Sequence, residues 1–193
     1  MSAEASDTRQ RIIDTALALF GQIGFARATT RAIAAAAEVN EVTLFRHFGS
    51  KKQLLAACVA SFNDQGFAAT FTQNLTGDYA HDILTMAQTQ IAGMLAGFDL
   101  VRLLLCDAQE MPDLQQIAAV GAQGNTARVA DYFRQQIDAG VVRADLDPLA
   151  LAQAFDSLFS WPVVIEKVLA TGRTPSDQLI QQWVDLFVQG TRS

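Results

Sequence analysis

At 193 residues, half of them hydrophobic and only four proline, the chain is long enough for one sizeable core or two small ones and suits a mostly helical globule. The closest approach to a membrane-spanning apolar run, Leu100 to Cys106, is short and contains Arg102, and the N-terminus, with Glu4 and Asp7 and no apolar centre, does not read as a secretory leader. The net charge of −6 is unequally divided: residues 1–55 carry seven basic and five acidic side chains, net +2, and the remainder seven and fifteen, net −8. Local potential rather than total charge decides attraction to phosphate, so the first quarter of the chain is the part suited to nucleic acid. Its excess is small, and strong binding calls for two copies side by side. Cys58 and Cys106 form no disulfide framework and read as buried free thiols of a cytoplasmic protein.

Residues 1–6 are expected to be disordered. Asp7 with Gln10 is placed to cap a first helix with Ile13, Ala16, Leu17 and Phe20 on one face. Gly24 suits the left-handed position that ends it, with Phe25 packing back. Thr29 or Thr30 opens a second helix, its hydroxyl accepting from the first-turn N–H groups. Its inward stripe, Ile33, Ala34 and Ala37, is small enough for another helix to approach closely. Glu38-Val39-Asn40 is the turn. Val39 points inward and Asn40 caps a third helix, which carries Leu44 and Phe48 inward and shows Glu41, Val42, Thr43, Phe45, Arg46 and His47 on its outer face. Gly49 ends it, and Ser50 with Gln53 caps a fourth. Two tightly joined helices, the second with a mixed polar, basic and apolar outer face, describe a helix-turn-helix whose second helix enters the major groove.

The fourth helix buries Leu54, Leu55, Cys58, Val59 and Phe62, and Phe67 and Phe71 extend its pattern to about Gln73. Thr76-Gly77-Asp78 breaks the chain. A fifth helix follows to about Ala96, and a sixth runs from Asp99 to Glu110, ended by Met111-Pro112. A seventh covers about Asp113 to Ala139 and stops at Gly140. Asp147-Pro148 opens an eighth that continues to about Ala170 with a kink at Pro162. Thr174-Pro175-Ser176-Asp177 opens a ninth that ends at Gly190. Helices eight and nine are apolar on more than one side, so either both are central in one core or the second stripe needs a partner. Phe155, Leu158, Trp183, Val184 and Phe187 are the expected contacts.

Over about Thr8 to Leu55, the order Thr-Thr, Ile-Ala, a valine in the turn, Thr-Leu-aromatic-x-His-Phe and Ser-Lys-x-x-Leu resembles the DNA-binding domain of the tetracycline-repressor (TetR) family. Beyond Leu55 the resemblance is one of architecture. It implies an all-α protein of about nine helices: a three-helix DNA-binding head over 1–52, and a larger ligand-binding and dimerisation body over 53–193. It also implies that helices eight and nine of two chains form a two-fold four-helix interface. On the head, the threonine opening helix two (Thr29 or Thr30) and Lys51 match phosphate contacts, and Thr43 and His47 match positions that face DNA. Arg31, Asn40, Glu41, Val42, Phe45 and Arg46 complete the expected DNA-binding set. Three positions depart from the family pattern. Glu38 replaces the turn glycine and is strained if its φ is positive. Phe45 stands where tyrosine is usual and either meets a thymine methyl or packs inward. Val42 replaces a frequent glycine. Glu41 either suits the helix dipole or accepts from a cytosine amine.

In the body the resemblance implies a cavity for a small, largely apolar effector. Phe62, Phe67, Met86, Met94, Phe98, Phe159 and Trp161 are candidate lining, with Gln90, Tyr132 or Arg102 as polar anchors. Arg102 either snorkels to solvent or, as an anchor, would favour an acidic ligand. No catalytic set is visible. Asp78, His81 and Asp82 could be metal ligands, but acidic groups there equally suit the first turn of the fifth helix. No glycine-rich phosphate loop, nucleophile elbow or CxxC is present, and no enzyme, metal or cofactor is expected. The expected function is a cytoplasmic, ligand-responsive repressor with no membrane partner, binding an inverted-repeat operator in double-stranded DNA as a homodimer and released by its effector. The alternative is a small-molecule-binding or interaction protein with a degenerate helix-turn-helix.

Overall fold

The computed structural model describes residues 3–63, 75–106, 112–170 and 174–193, and within them the chain is all-α, with nine helices. They are α1 (Ala3–Ile23), α2 (Thr30–Ala36), α3 (Glu41–Phe48), α4 (Lys51–Asn63), α5 (Tyr79–Ala96), α6 (Phe98–Cys106), α7 (Pro112–Asp138), α8 (Pro148–Leu169) and α9 (Asp177–Thr191). Helix α1 begins four residues before its expected cap at Asp7. The extension of α4 past Asn63, with Phe67 and Phe71, and the end of the sixth helix at Glu110 lie outside the described residues.

The caps are chemically local and most stand where side-chain chemistry places them. Asp78 accepts from His81 N at 3.0 Å, Asp147 from Ala150 N at 2.8 Å and Ser176 from Leu179 N at 3.3 Å, each satisfying a first-turn donor. Pro148 follows Asp147 at the first helical position, where its missing N–H costs nothing. Pro162 lies inside α8, and the helix continues through it to Leu169.

Two compact units divide the chain. The first comprises the described residues of Met1–Asn63 and Asp99–Gly121. Its core joins Ile12, Ile13, Ala16 and Phe20 of α1, Ile33 and Ala34 of α2, Leu44 and Phe48 of α3, and Leu54, Leu55 and Cys58 of α4 to Leu100 and Leu103 of α6 and Leu114 of α7. Cys58 is buried as expected, and desolvation, with Asp14 adding to it, pushes its thiol pKa up to about 12. Arg102 and Lys52 add polar ties in this unit: Arg102 donates to Gly21 O at 2.6 Å in the last turn of α1, and Lys52 pairs with Asp113. A cation on C-terminal carbonyls suits the helix dipole.

The second unit comprises the described residues of Asp64–Phe98 and Ala122–Ser193. A ring cluster centres it. Phe155 lies 4.8 Å from Phe159, 5.9 Å from Phe187 and 6.3 Å from Phe133. Ile83, Met86 and Ile91 of α5, Tyr132 of α7 and Val184 of α9 close around it. Helix α8 is long and apolar enough to cross a bilayer by length and composition alone. It holds no unbroken apolar run of that length, because Asp156, Ser157 and Ser160 interrupt it, and its Leu151, Phe155, Phe159 and Val163 are committed to this core.

The chain's last residues are tied down. Past Gly140 (φ 73°), Val142 forms an antiparallel bridge with Arg192. Arg143 N donates to Thr191 O at 3.0 Å and Ser193 N to Val141 O at 3.0 Å. The Thr191 hydroxyl bonds the Tyr79 hydroxyl at 2.6 Å, out of water.

Candidate nucleic-acid interface

Local sequence chemistry builds the two-helix element. Thr29 is the α2 cap, accepting from Ala32 N at 3.1 Å. Thr30 is engaged differently. Its hydroxyl donates to Glu41 Oε1 at 2.5 Å, joining the start of α2 to the start of α3. The alternatives left open for this pair are thus divided, with Thr29 exposed and Thr30 bonded across to α3. At the other end of α2, Arg11 Nε donates to Ala37 O at 3.0 Å and fixes α1 against the turn.

Glu38 sits at φ 55°, in the left-handed region, and replaces the glycine that would occupy it without strain. The conformation costs an L-residue roughly 1–2 kcal/mol, and glycine's larger unfolded-state entropy gives back about 0.5–1 kcal/mol. Glu38→Gly is therefore expected to stabilise the protein by about 0.5–1 kcal/mol, read as a higher urea midpoint at unchanged slope. A lower midpoint would refute the strain.

Asn40 caps α3, its Oδ1 accepting from Thr43 N at 2.7 Å and Thr43 Oγ1 at 2.9 Å. Leu44 and Phe48 are buried, so the opposite side of this two-turn helix faces out. Val42 is 76 % exposed and Phe45 43 % exposed, which excludes inward packing of Phe45. Arg46 is exposed and His47 half-buried, its ring 6.0 Å from Phe48. Arg31 is exposed on α2. Gly49 (φ 71°) ends α3, and Ser50 Oγ accepts from Gln53 N at 3.1 Å to start α4. Lys51 reaches back from there, Nζ donating to Ala26 O at 3.3 Å and lying 4.4 Å from the Phe25 ring centroid. Partial burial lowers its pKa. Two hydroxyl caps, an ammonium, Arg31, Arg46 and an exposed apolar pair thus lie along α2, α3 and the start of α4. Such groups can hold phosphates and read base edges.

The other candidates are placed less uniformly. Met86, Tyr132 and Phe159 are buried in the second core, with Met94 packed at its edge, and Phe98 is buried. Gln90 Nε2 donates to Ser160 Oγ at 2.6 Å. Phe62 packs on the first core instead, Arg102 is engaged with Gly21 O there, and Trp161 is 59 % exposed. Phe67 lies outside the described residues. Asp82 is buried and accepts from Thr76 N, Thr76 Oγ1 and Gly77 N, and Asp78 is a cap. Those bonds answer for both carboxylates without a metal.

Among the expected interface residues, Phe155, Val184 and Phe187 are closed inside the chain's own core, and Leu158 and Trp183 are half-buried against it. Burial removes the first three from any surface. The exposed apolar stripe is a different one: Trp161, Ile165, Val168 and Leu169 on α8, with Leu179 and Leu186 on α9. Its i, i+3/i+4 spacing is present in the sequence, but so is that of the buried stripe.

Residues 12–58 match the family model for bacterial regulatory proteins, tetR family, and residues 82–189 match that for the C-terminal domain of AefR-like transcriptional repressors. The HTH-type transcriptional regulator YvkB of Bacillus subtilis is 23 % identical over 186 residues, covering 95 % of this chain and 96 % of that one. A solved TetR-family regulator from a Rhodococcus species superposes with a TM-score of 0.82 at 18 % identity, over 97 % of this chain and all of that one. The flavonoid-responsive regulator FrrA superposes with a TM-score of 0.76 at 21 % identity, over 97 % of this chain and 98 % of that one.

Proposed function

Because the chain belongs to the tetR family of bacterial regulatory proteins, and is thus a DNA-binding transcriptional regulator and not an enzyme, we propose that it is a repressor. It binds an inverted-repeat operator as a homodimer and releases it when a small, largely apolar molecule occupies the body. It acts in the cytoplasm, beside the chromosome. The observation that carries the DNA reading is the outer face of α3: Val42, Phe45 and Arg46 stand clear of the core beside the capped start of α2. Repression is supported by the repressor description of the family that the body matches. An effector is supported by the fold neighbour FrrA, a flavonoid-responsive protein.

Dimerisation is supported by the exposed stripe on α8 and α9, since apolar patches of that kind mark contact surfaces. One head offers few phosphate contacts, so two heads are placed on half-sites about one helical turn apart or somewhat more. Thr29, Thr30, Arg31, Asn40, Thr43, Arg46, His47 and Lys51 orient the head, while Glu41, Val42 and Phe45 are the base-reading candidates.

The test is selection of genomic fragments on the immobilised protein, followed by mobility shift on those retained. A selected inverted repeat supports the proposal. Retention of no sequence over bulk DNA would favour the interaction-protein alternative. On a selected site, Lys51→Ala is expected to lower affinity for every sequence alike. The slope of log affinity against log salt should shrink by about 0.9 for each phosphate no longer neutralised. Unchanged affinity and slope would remove Lys51 from the phosphate-binding groups.

A further inference from the structure

The second unit contains a part-buried polar seam. Asp156 of α8 accepts from Thr126 Oγ1 of α7 at 2.8 Å. Its other oxygen, Oδ1, is buried and has no hydrogen-bond partner among the described residues. Four residues on, and so on the same side of α8, Ser160 accepts from Gln90 Nε2 of α5 at 2.6 Å. Three helices therefore bring polar side chains to one side of α8, beside Phe155 and Phe159 of the ring cluster.

A half-satisfied carboxylate in such surroundings is costly, and a well-packed apolar residue would serve the fold better. No basic side chain pairs with Asp156 among the described residues. Burial pushes its pKa up, with the Thr126 hydrogen bond opposing. The missing partner is a donor, and a positively charged one would also offset the carboxylate's desolvation.

We infer that Asp156, flanked by Thr126 and Ser160, is the polar end of the effector site and takes the protonated nitrogen of a small amine carried on an apolar body. This rests on the proposed effector reading and narrows its ligand class. Residues 56–193 carry a net charge of −8, which draws cations rather than anions towards the body. The guanidinium that would have favoured an acidic ligand, Arg102, is held on Gly21 O in the first unit. An N–H of the amine would complete Oδ1, and the Ser160 hydroxyl could accept a second.

The test uses the full chain and three probes sharing one apolar chain: hexylamine, hexanol and hexanoate, titrated calorimetrically at pH 7. Hexylamine is expected to bind at least tenfold more tightly than hexanol, with hexanoate weakest. Asp156→Asn keeps the shape and the Thr126 contact, and is expected to bring hexylamine down to the hexanol level while leaving hexanol unchanged. Equal affinities of amine and alcohol in the parent protein would overturn the assignment without recourse to the variant. So would an amine preference that survives Asp156→Asn, or failure of all three probes to bind. The effector reading is tested separately, by adding hexylamine to the protein on its selected DNA. Asp156-dependent amine binding that leaves DNA affinity unchanged would remove the effector role and keep the site.

Discussion

The double variant Trp161→Glu, Leu186→Glu is expected to run as a monomer at concentrations where the parent is a dimer. Trp161 is 59 % exposed and Leu186 67 % exposed in the single chain, so a carboxylate at either position stays in water and the monomer fold is kept. Across a two-fold contact each would be buried without a counter-ion. Such an uncompensated charge costs about 3–5 kcal/mol, a factor of roughly 10² to 5 × 10³ in dimerisation. Affinity for a two-half-site DNA should fall at least as far, because one head no longer brings the second. Sedimentation velocity reports the assembly, mobility shift the DNA, and an unchanged melting curve shows that the fold is intact. Trp183→Glu is a poorer probe: the Trp183 ring lies 6.5 Å from Phe159, and its loss would damage the core as well. An undiminished dimer would place the contact on another face.

Phe155→Ala is expected to remove about 3–5 kcal/mol from the stability of the second unit, a large part of the 5–15 kcal/mol typical of a domain. Its ring is fully buried and meets Phe133, Phe159 and Phe187, so truncation leaves a void that three other rings cannot all move to fill. Urea unfolding monitored by circular dichroism measures the loss. A change under about 1 kcal/mol, the level of a tolerated surface substitution, would show that the ring cluster is not the core of this unit. The sequence reading places Phe155 among the interface contacts that the family resemblance implies, so the two variants together separate the buried stripe of α8 from its outer one.

That contrast marks what periodicity can and cannot decide. Asn40, Asp78, Asp147-Pro148 and Ser176 act on donors three residues away, and local chemistry of that kind is legible in sequence. The helix-turn-helix is legible for the same reason, down to the strained Glu38. Helices α8 and α9 are apolar around most of their circumference, and an apolar stripe carries no mark of which neighbour covers it. Phe155 and Val184 thus lie in the core, while Trp161 and Leu186 are exposed. Pairings between distant residues are hidden for a related reason. Arg102 reads as a possible ligand anchor only while its partner, the Gly21 carbonyl 81 residues away, is unknown. The Thr126–Asp156 bond is missed because its partners stand 30 residues apart on different helices.

The clasp at the end of α9 has a consequence for how the second unit opens. Helix ends ordinarily fray, and their amides exchange with solvent through small local fluctuations. Here Tyr79 and Thr191 are joined across 112 residues of sequence, and the Arg143 and Ser193 amides are held by partners from the opposite segment of the clasp. A contact of such high order cannot form until the intervening helices are in place, because closing so long a loop costs entropy that local bonds do not return. Nor can it be released by unwinding the final turn alone, since Thr191 remains tied to α5. Its amide protons are therefore expected to exchange more slowly than those of a helix end without such ties.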